Sequence, residues 1–98
     1  MKNKTIVVNR HRESYDVHIG RGTKFGNDYR IGQDGTRADV IAKHKKDFYN
    51  NPELQEAVWV KLRGKRIGCS CKPLACHGDT YVDYIENRER QENETKKD

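Results

Sequence analysis

The sequence predicts a small α/β or α+β fold in which a single-layer sheet of short strands packs with about three helices. Segments with strand and helix patterns follow in the order strand, strand, helix, helix, strand, helix, and such elements bury their apolar sides by stacking in layers. The length of 98 residues suits one domain. We expect the domain to span residues 1–86. A charged and frayed or disordered tail is expected at 87–98, because it has no apolar side chain to bury.

Three segments have strand patterns. Residues 5–9 form a short β-branched run typical of a buried strand. Residues 15–20 alternate, so that every second side chain lies on the same face of a strand. The third strand is expected at residues 65–71. It must end before Pro73, because proline lacks the amide hydrogen that a central strand requires.

Three segments have helix-start signals. Thr36 is a suitable N-cap because its hydroxyl accepts from the free amides of the first turn. Asn51 is followed by Pro52, which suits the first position of a second helix, and Gly64 ends that helix. A third helix begins in residues 77–80. The glycine-rich residues between the second strand and the first helix predict a long loop whose backbone can approach a ligand.

The composition indicates an anionic partner and a lean core. The net charge is +5, only 33% of the residues are hydrophobic, and the mean hydropathy is -1.15. Because residues 86–98 are slightly acidic, the positive charge lies in residues 1–85 and suits nucleotides, phosphates or nucleic acid. A metal, a bound ligand or a homo-oligomer would supply stability that the small core lacks. Trp59 falls off the apolar stripe of its helix and is a candidate contact in such an oligomer.

Three cysteines and a histidine, at positions 69, 71, 76 and 77, form the densest group of reactive or metal-binding side chains in the sequence. One interpretation is a zinc site with Cys69, Cys71, Cys76 and His77 as tetrahedral ligands. A second is that the cysteines are small hydrophobic residues in a tight space. A third is a reactive thiol, with Cys76 as nucleophile while His77 and Asp79 transfer protons. The residues alone leave these three open.

Two glycine-bearing segments are suited to an anion, independently of any metal. Residues 20–23 follow a strand, and residues 77–80 open a helix whose free amides carry partial positive charge. Because ligands of open α/β sheets collect at the carboxyl ends of strands, we expect both segments to converge on one pocket. Phe25 and Tyr29 are candidates for stacking on a base. The expected ligand contacts are Asn9, Arg10, Arg21, Gly22, Thr23, Lys24, Asn27, Lys72, His77, Gly78 and Asp79.

Several runs together resemble a known family. They are Val7-Val8-Asn9-Arg10, the segment 16–23 with Gly26-Asn27, and the segment 62–73 with Cys76-His77-Gly78-Asp79. This combination resembles domain of unknown function 4326, a family of small phage and bacterial proteins without an assigned activity. The resemblance implies a phage origin and marks the loops named above. Members often have Gly-Asn-Pro-Phe where this chain has Gly26-Asn27-Asp28-Tyr29, which weakens the role of Asn27 that the resemblance implies.

The sequence therefore predicts a module that binds a nucleotide or a nucleotide-derived phosphorylated ligand, and one use would be sequestration of a host nucleotide signal. One alternative is an enzyme acting on a nucleotide or nucleobase through Cys76 or a zinc-bound water. Another is a zinc-stabilised domain that binds nucleic acid. No segment suits a signal peptide or a membrane span, so we expect the cytoplasm, which is that of the host cell for a phage-encoded chain.

Overall fold

The computed structural model describes residues 4–95 and shows a mixed α/β fold, as the sequence predicts. The predicted order of elements is confirmed along the whole described chain. The elements are β1 (Ile6–Asn9), β2 (Val17–His18), α1 (Arg37–Tyr49), α2 (Pro52–Leu62), β3 (Arg66–Cys69) and α3 (Gly78–Thr95).

The three strands form one parallel sheet in the order β1-β3-β2. The central position of β3 explains why Ile67, Gly68 and Cys69 are all buried. Because the strands are parallel, all three end at the same edge of the sheet. All three strands are shorter than predicted: β1 begins at Ile6, β2 is only Val17–His18, and β3 is Arg66–Cys69.

The caps predicted for α1 and α2 are present. Thr36 and Asp39 form a reciprocal capping box at the start of α1. The side chain of Asn51 accepts a hydrogen bond from the backbone of Leu54 at 3.1 Å, and Pro52 begins α2. Gly64, just beyond α2, has a positive φ of 74°, a conformation that suits glycine.

The core includes residues from β1, β3 and all three helices, together with Ile19 just after β2, and Tyr81 of α3 is one of its largest side chains. Its ring packs edge-on against Phe48 at a centroid distance of 5.4 Å and against Phe25 at 6.2 Å. Phe25 is only 5% exposed, so in this structure it belongs to the core and is not available to stack on a base. Helix α3 thus fixes the loop between β2 and α1 as well as the sheet.

Helix α3 continues to Thr95, so residues 87–95 are helical where the sequence predicts a frayed tail. Contacts with α2 explain the difference. Arg88 donates to Glu56 at 2.7 Å, and Arg63 donates to Glu89 at 3.0 Å. Both guanidinium groups stack on half-buried Trp59, at 4.1 Å for Arg63 and 4.3 Å for Arg88, so this ring has partners within the chain. The remainder of the predicted tail, 96–98, lies outside the described residues.

None of the helices in the described part of the chain is long and apolar enough to cross a membrane.

Candidate functional site

A cavity of about 500 Å³ lies at the edge of the sheet where the strands end, and we call it the edge pocket. Its wall combines residues that follow each strand with residues from the β2–α1 loop and from α1. The lining residues are Arg10, Gly20, Arg21, Asn27, Tyr29, Arg30, Ile31, Gln33, Arg37, Val40, Ile41, Cys69, Ser70, Cys71, Ala75, Cys76 and His77.

Hydrogen bonds hold the strand ends and the start of α3 together around this pocket. The backbone amide of Arg10 donates to the carbonyl of Cys69 at 2.9 Å, and that of Ile19 donates to Gly68 at 3.0 Å. The side chain of His77 reaches back to the carbonyl of Ile19, with Nε2 2.8 Å from the oxygen. The two glycine-bearing segments, distant in sequence, therefore meet at one pocket.

The pocket wall has four arginines, Arg10, Arg21, Arg30 and Arg37, and no aspartate or glutamate. Arg37 donates to the carbonyl of Ala75 at 3.1 Å. Within residues 4–95, the guanidinium groups of the other three make no hydrogen bond or ion pair. Their charge is therefore available to a ligand.

Four of the predicted ligand contacts line the edge pocket: Arg10, Arg21, Asn27 and His77. Asn27 is fixed by its neighbours, because its side-chain amide donates to the carbonyl of Val40 at 3.1 Å while its oxygen accepts from the backbone of Tyr29 at 3.0 Å.

The other predicted contacts have structural partners or lie elsewhere. Asn9 donates to the carbonyl of Lys72 at 2.7 Å, and the hydroxyl of Thr23 donates to the carbonyl of Gly20 at 2.8 Å. Asp79 accepts from the backbone of Cys76 at 3.2 Å and lies 3.8 Å from the Lys72 ammonium.

The remaining three also lie outside the lining of the edge pocket. Gly22 occupies a turn with a φ of 93°. Gly78 is buried, and a Cβ there would lie 2.8 Å from the side chain of Ile19. Lys24 lines a second cavity, which shares Asn27 and Tyr29 with the edge pocket.

Cys69 and Cys76 are paired in the wall of the edge pocket, with their sulfurs 3.1 Å apart. Their hydrogen bond lowers the pKa of Cys69, assisted by the backbone amides of Cys71 and Lys72. The same bond and burial raise the pKa of Cys76. The pair therefore favours one thiolate next to one thiol.

All four predicted zinc ligands line the edge pocket. Among residues 4–95, however, no group of three or more His, Cys, Asp or Glu side chains is arranged to hold a metal ion. Two contacts account for the present arrangement: His77 uses Nε2 on the carbonyl of Ile19, and Cys69 and Cys76 hydrogen-bond to each other.

Two comparisons with known proteins each found a match to this chain. A family profile described as "Domain of unknown function (DUF4326)" matches residues 4–87. The chain belongs to the DUF4326 family. A protein of Enterobacteria phage T4, named "Uncharacterized 12.4 kDa protein in nrdA-td intergenic region", is 44% identical over 86 residues, which cover 84% of this chain and 77% of the phage protein. No solved structure matches significantly.

Sequence reasoning missed several lining residues of this DUF4326 protein, including Arg30, Arg37 and Ser70. The signal for Arg30 was its place in the glycine-rich loop beyond Tyr29. Arg37 carries no local signal beyond its position at the start of α1, because only the packing of that helix brings it to the pocket. Tyr29, predicted as a stacking residue, does line the edge pocket.

Proposed function

We propose that this DUF4326 protein binds a nucleotide or a nucleotide-derived phosphorylated small molecule in the edge pocket. The supporting observation is that four arginines line the pocket and no carboxylate does. Guanidinium groups bind phosphate oxygens through short, charge-assisted hydrogen bonds, often two at once. A wall with this composition favours a ligand that carries more than one anionic oxygen.

The remainder of the wall supports a ligand with an organic part in addition to phosphate. Ile31, Val40 and Ile41 supply apolar surface, and Tyr29 supplies an aromatic ring. The ring is oriented by a hydrogen bond from its hydroxyl to Asp47. A volume of about 500 Å³ is in the range of pockets that enclose small organic ligands. A base or sugar has suitable contacts here.

Calorimetric titration of the full chain with inorganic phosphate and with mono-, di- and cyclic nucleotides tests this proposal. We expect at least one nucleotide to bind, and Arg21→Gln to weaken it by about tenfold or more, because a hydrogen bond to a charged group contributes about 1.5–3 kcal/mol. Arg90→Gln makes the same charge change on the exposed far part of α3 and should leave the affinity unchanged. Absence of binding to every compound, or equal weakening in both variants, would contradict the proposal.

The biological use that we propose is sequestration of a host nucleotide signal in the cytoplasm of the host cell. Similarity to a phage protein supports this setting, and sequestration needs affinity without turnover.

The cysteine pair favours a second candidate, an enzyme that acts on the same class of ligand. In that case the cysteine pair supplies the nucleophile, because the two sulfurs lie 3.1 Å apart and a thiolate on one can accept a hydrogen bond from the thiol of the other. Nucleotides recovered intact after the titrations favour binding alone, whereas a changed nucleotide favours the enzyme.

Zinc, a homo-oligomer and nucleic-acid binding remain predictions for this chain. Native mass spectrometry of the purified protein reports bound zinc, retained ligand and subunit number in one measurement. Binding to nucleic acid would weaken steeply as salt is added, because association with a polyanion releases counterions.

A further inference from the structure

We propose that Cys69 and Cys76 form a reversible intramolecular disulfide, which makes the wall of the edge pocket a site of oxidative modification. The two sulfurs are already 3.1 Å apart. A disulfide bond is about 2.05 Å long, so the sulfurs need to approach each other by only about 1 Å. The proposal concerns the cysteines alone and does not depend on the ligand of the pocket.

The structure selects this pair among the three cysteines, all of which are free thiols. Cys69 ends β3, whereas Cys76 lies in the turn that leads into α3. The backbone amide of Gly78 donates to the Cys76 sulfur at 3.3 Å and holds it in place. The sulfur of Cys71 lines the same pocket but makes no hydrogen bond with either of the other two sulfurs within residues 4–95.

Burial restricts which oxidants reach the pair. Cys69 is 1% exposed and Cys76 is 2% exposed, and both line the edge pocket, so a small molecule that enters the pocket is required. Hydrogen peroxide is such an oxidant. One sulfur attacks a peroxide oxygen, which breaks the O–O bond, forms a sulfenic acid and releases water. The second sulfur then displaces the hydroxyl group as a second water and forms the S–S bond. The two thiol hydrogens end in the two waters.

The bond would change the pocket as well as the cysteines. It would link the end of β3 to the start of α3 and enclose residues 70–75 in a covalent ring. Three of these residues, Ser70, Cys71 and Ala75, line the edge pocket. Oxidation would therefore fix this part of the wall.

Peroxide treatment of the reduced, chelator-treated full chain tests the proposal by mass spectrometry. We expect a loss of two hydrogen atoms per chain, reversed by dithiothreitol. Chymotrypsin cleaves after exposed Leu74 and thereby separates Cys76 from the other two cysteines. The fragments should remain linked through Cys69, as assigned by their fragmentation spectra.

Two serine variants provide matched comparisons. Cys71→Ser should oxidise as the wild type does, whereas Cys76→Ser should form no intramolecular bond. If Cys76→Ser does not fold, the wild-type fragment map and the oxidation of Cys71→Ser still show whether the bond joins Cys69 and Cys76. A bond through Cys71, a bond between two chains, or free thiols at both positions in excess peroxide while the fold is intact would overturn the proposal.

Discussion

Among single residues, the histidines beside Tyr81 show most directly how burial changes the pKa of a side chain. The Tyr81 hydroxyl donates to the carbonyl of Phe25 at 2.7 Å, so Nε2 of His44, 3.0 Å away, must donate to the hydroxyl oxygen. Its Nδ1 is buried and has no partner within residues 4–95. Burial, followed by the nearby His77, lowers the pKa of His44 to about 4. His44 is therefore a neutral member of the core.

The pKa of His44 predicts a pH dependence of stability. The unfolded chain protonates this histidine near pH 6.5 and the folded chain near pH 4, so between these values the unfolded state binds more protons. The free energy of unfolding should therefore fall as the pH drops from about 6.5 to about 4. Burial also lowers the pKa of His77, which adds to the same slope. Urea midpoints measured between about pH 7 and about pH 5 check this.

Two glutamine variants separate the contribution of His44. His44→Gln should reduce the slope of stability against pH, with His77 accounting for what remains. His11→Gln, at an exposed position, should keep the wild-type slope. The slope is diagnostic because a merely structural effect of His44→Gln lowers stability at all pH values. An unchanged slope in His44→Gln would contradict the assignment.

Among the elements, α3 is attached to α2 through Trp59 as well as through the apolar core. The guanidinium groups of Arg63 and Arg88 both stack on the ring of Trp59, and they form ion pairs with Glu89 and Glu56, respectively. Trp59→Ala removes both stacking contacts and part of the buried ring, so it should lower the free energy of unfolding by about 2–3 kcal/mol. Denaturant titration measures this loss, and faster amide exchange is expected near Arg88.

Val60→Ala is the matched control for this prediction, because Val60 is the next residue on α2 and is 70% exposed. Its effect should stay within about 0.5 kcal/mol. Equal stability of Trp59→Ala and Val60→Ala would show that the two arginines do not attach α3 through the ring.

The same elements show what the sequence could and could not predict. Thr36, Asn51 and Pro52 act on their own neighbours, so local chemistry is sufficient to locate both caps from the sequence. The pairing of Cys69 with Cys76 could not be found this way. The sequence groups three cysteines and His77 as possible zinc ligands, but it does not show that Cys69, at the end of β3, pairs with Cys76, just before α3.

The difference at residues 87–95 has a similar cause. Composition correctly shows that this segment has nothing apolar to bury. The sequence did not show that Trp59, on a different helix, would offer its ring to Arg88, or that Arg63 would pair with Glu89. The sequence did not predict Arg37 in the edge pocket for the same reason. This side chain lies there only because α1 packs beside the turn at Ala75. The spacing of charged residues along a sequence does not reveal which distant residues they contact in the fold.

For the whole molecule, a lean core and a basic pocket have one shared consequence. Only 33% of the residues are hydrophobic, so the core supplies a small net stability. Repulsion among the arginines around the edge pocket lowers the stability of the folded state further. An anionic ligand that binds only the folded chain would neutralise them and add its binding free energy to stability. Ligand binding and folding should therefore be strongly linked in this protein.

This linkage predicts a large thermal shift. A ligand at one hundred times its dissociation constant stabilises the folded state by about 2.7 kcal/mol. For a domain of this size, that corresponds to a rise in the melting temperature of roughly 10–20 °C. Differential scanning calorimetry with the tightest nucleotide from the titrations measures the shift. Arg90→Gln should show the full rise, whereas Arg21→Gln, at the same nucleotide concentration, should show a clearly smaller one, because tenfold weaker binding removes about 1.4 kcal/mol. A nucleotide that binds tightly without raising the melting temperature would contradict this prediction. Such a nucleotide would have to bind the unfolded chain equally well, although the unfolded chain lacks the assembled arginine wall of the edge pocket.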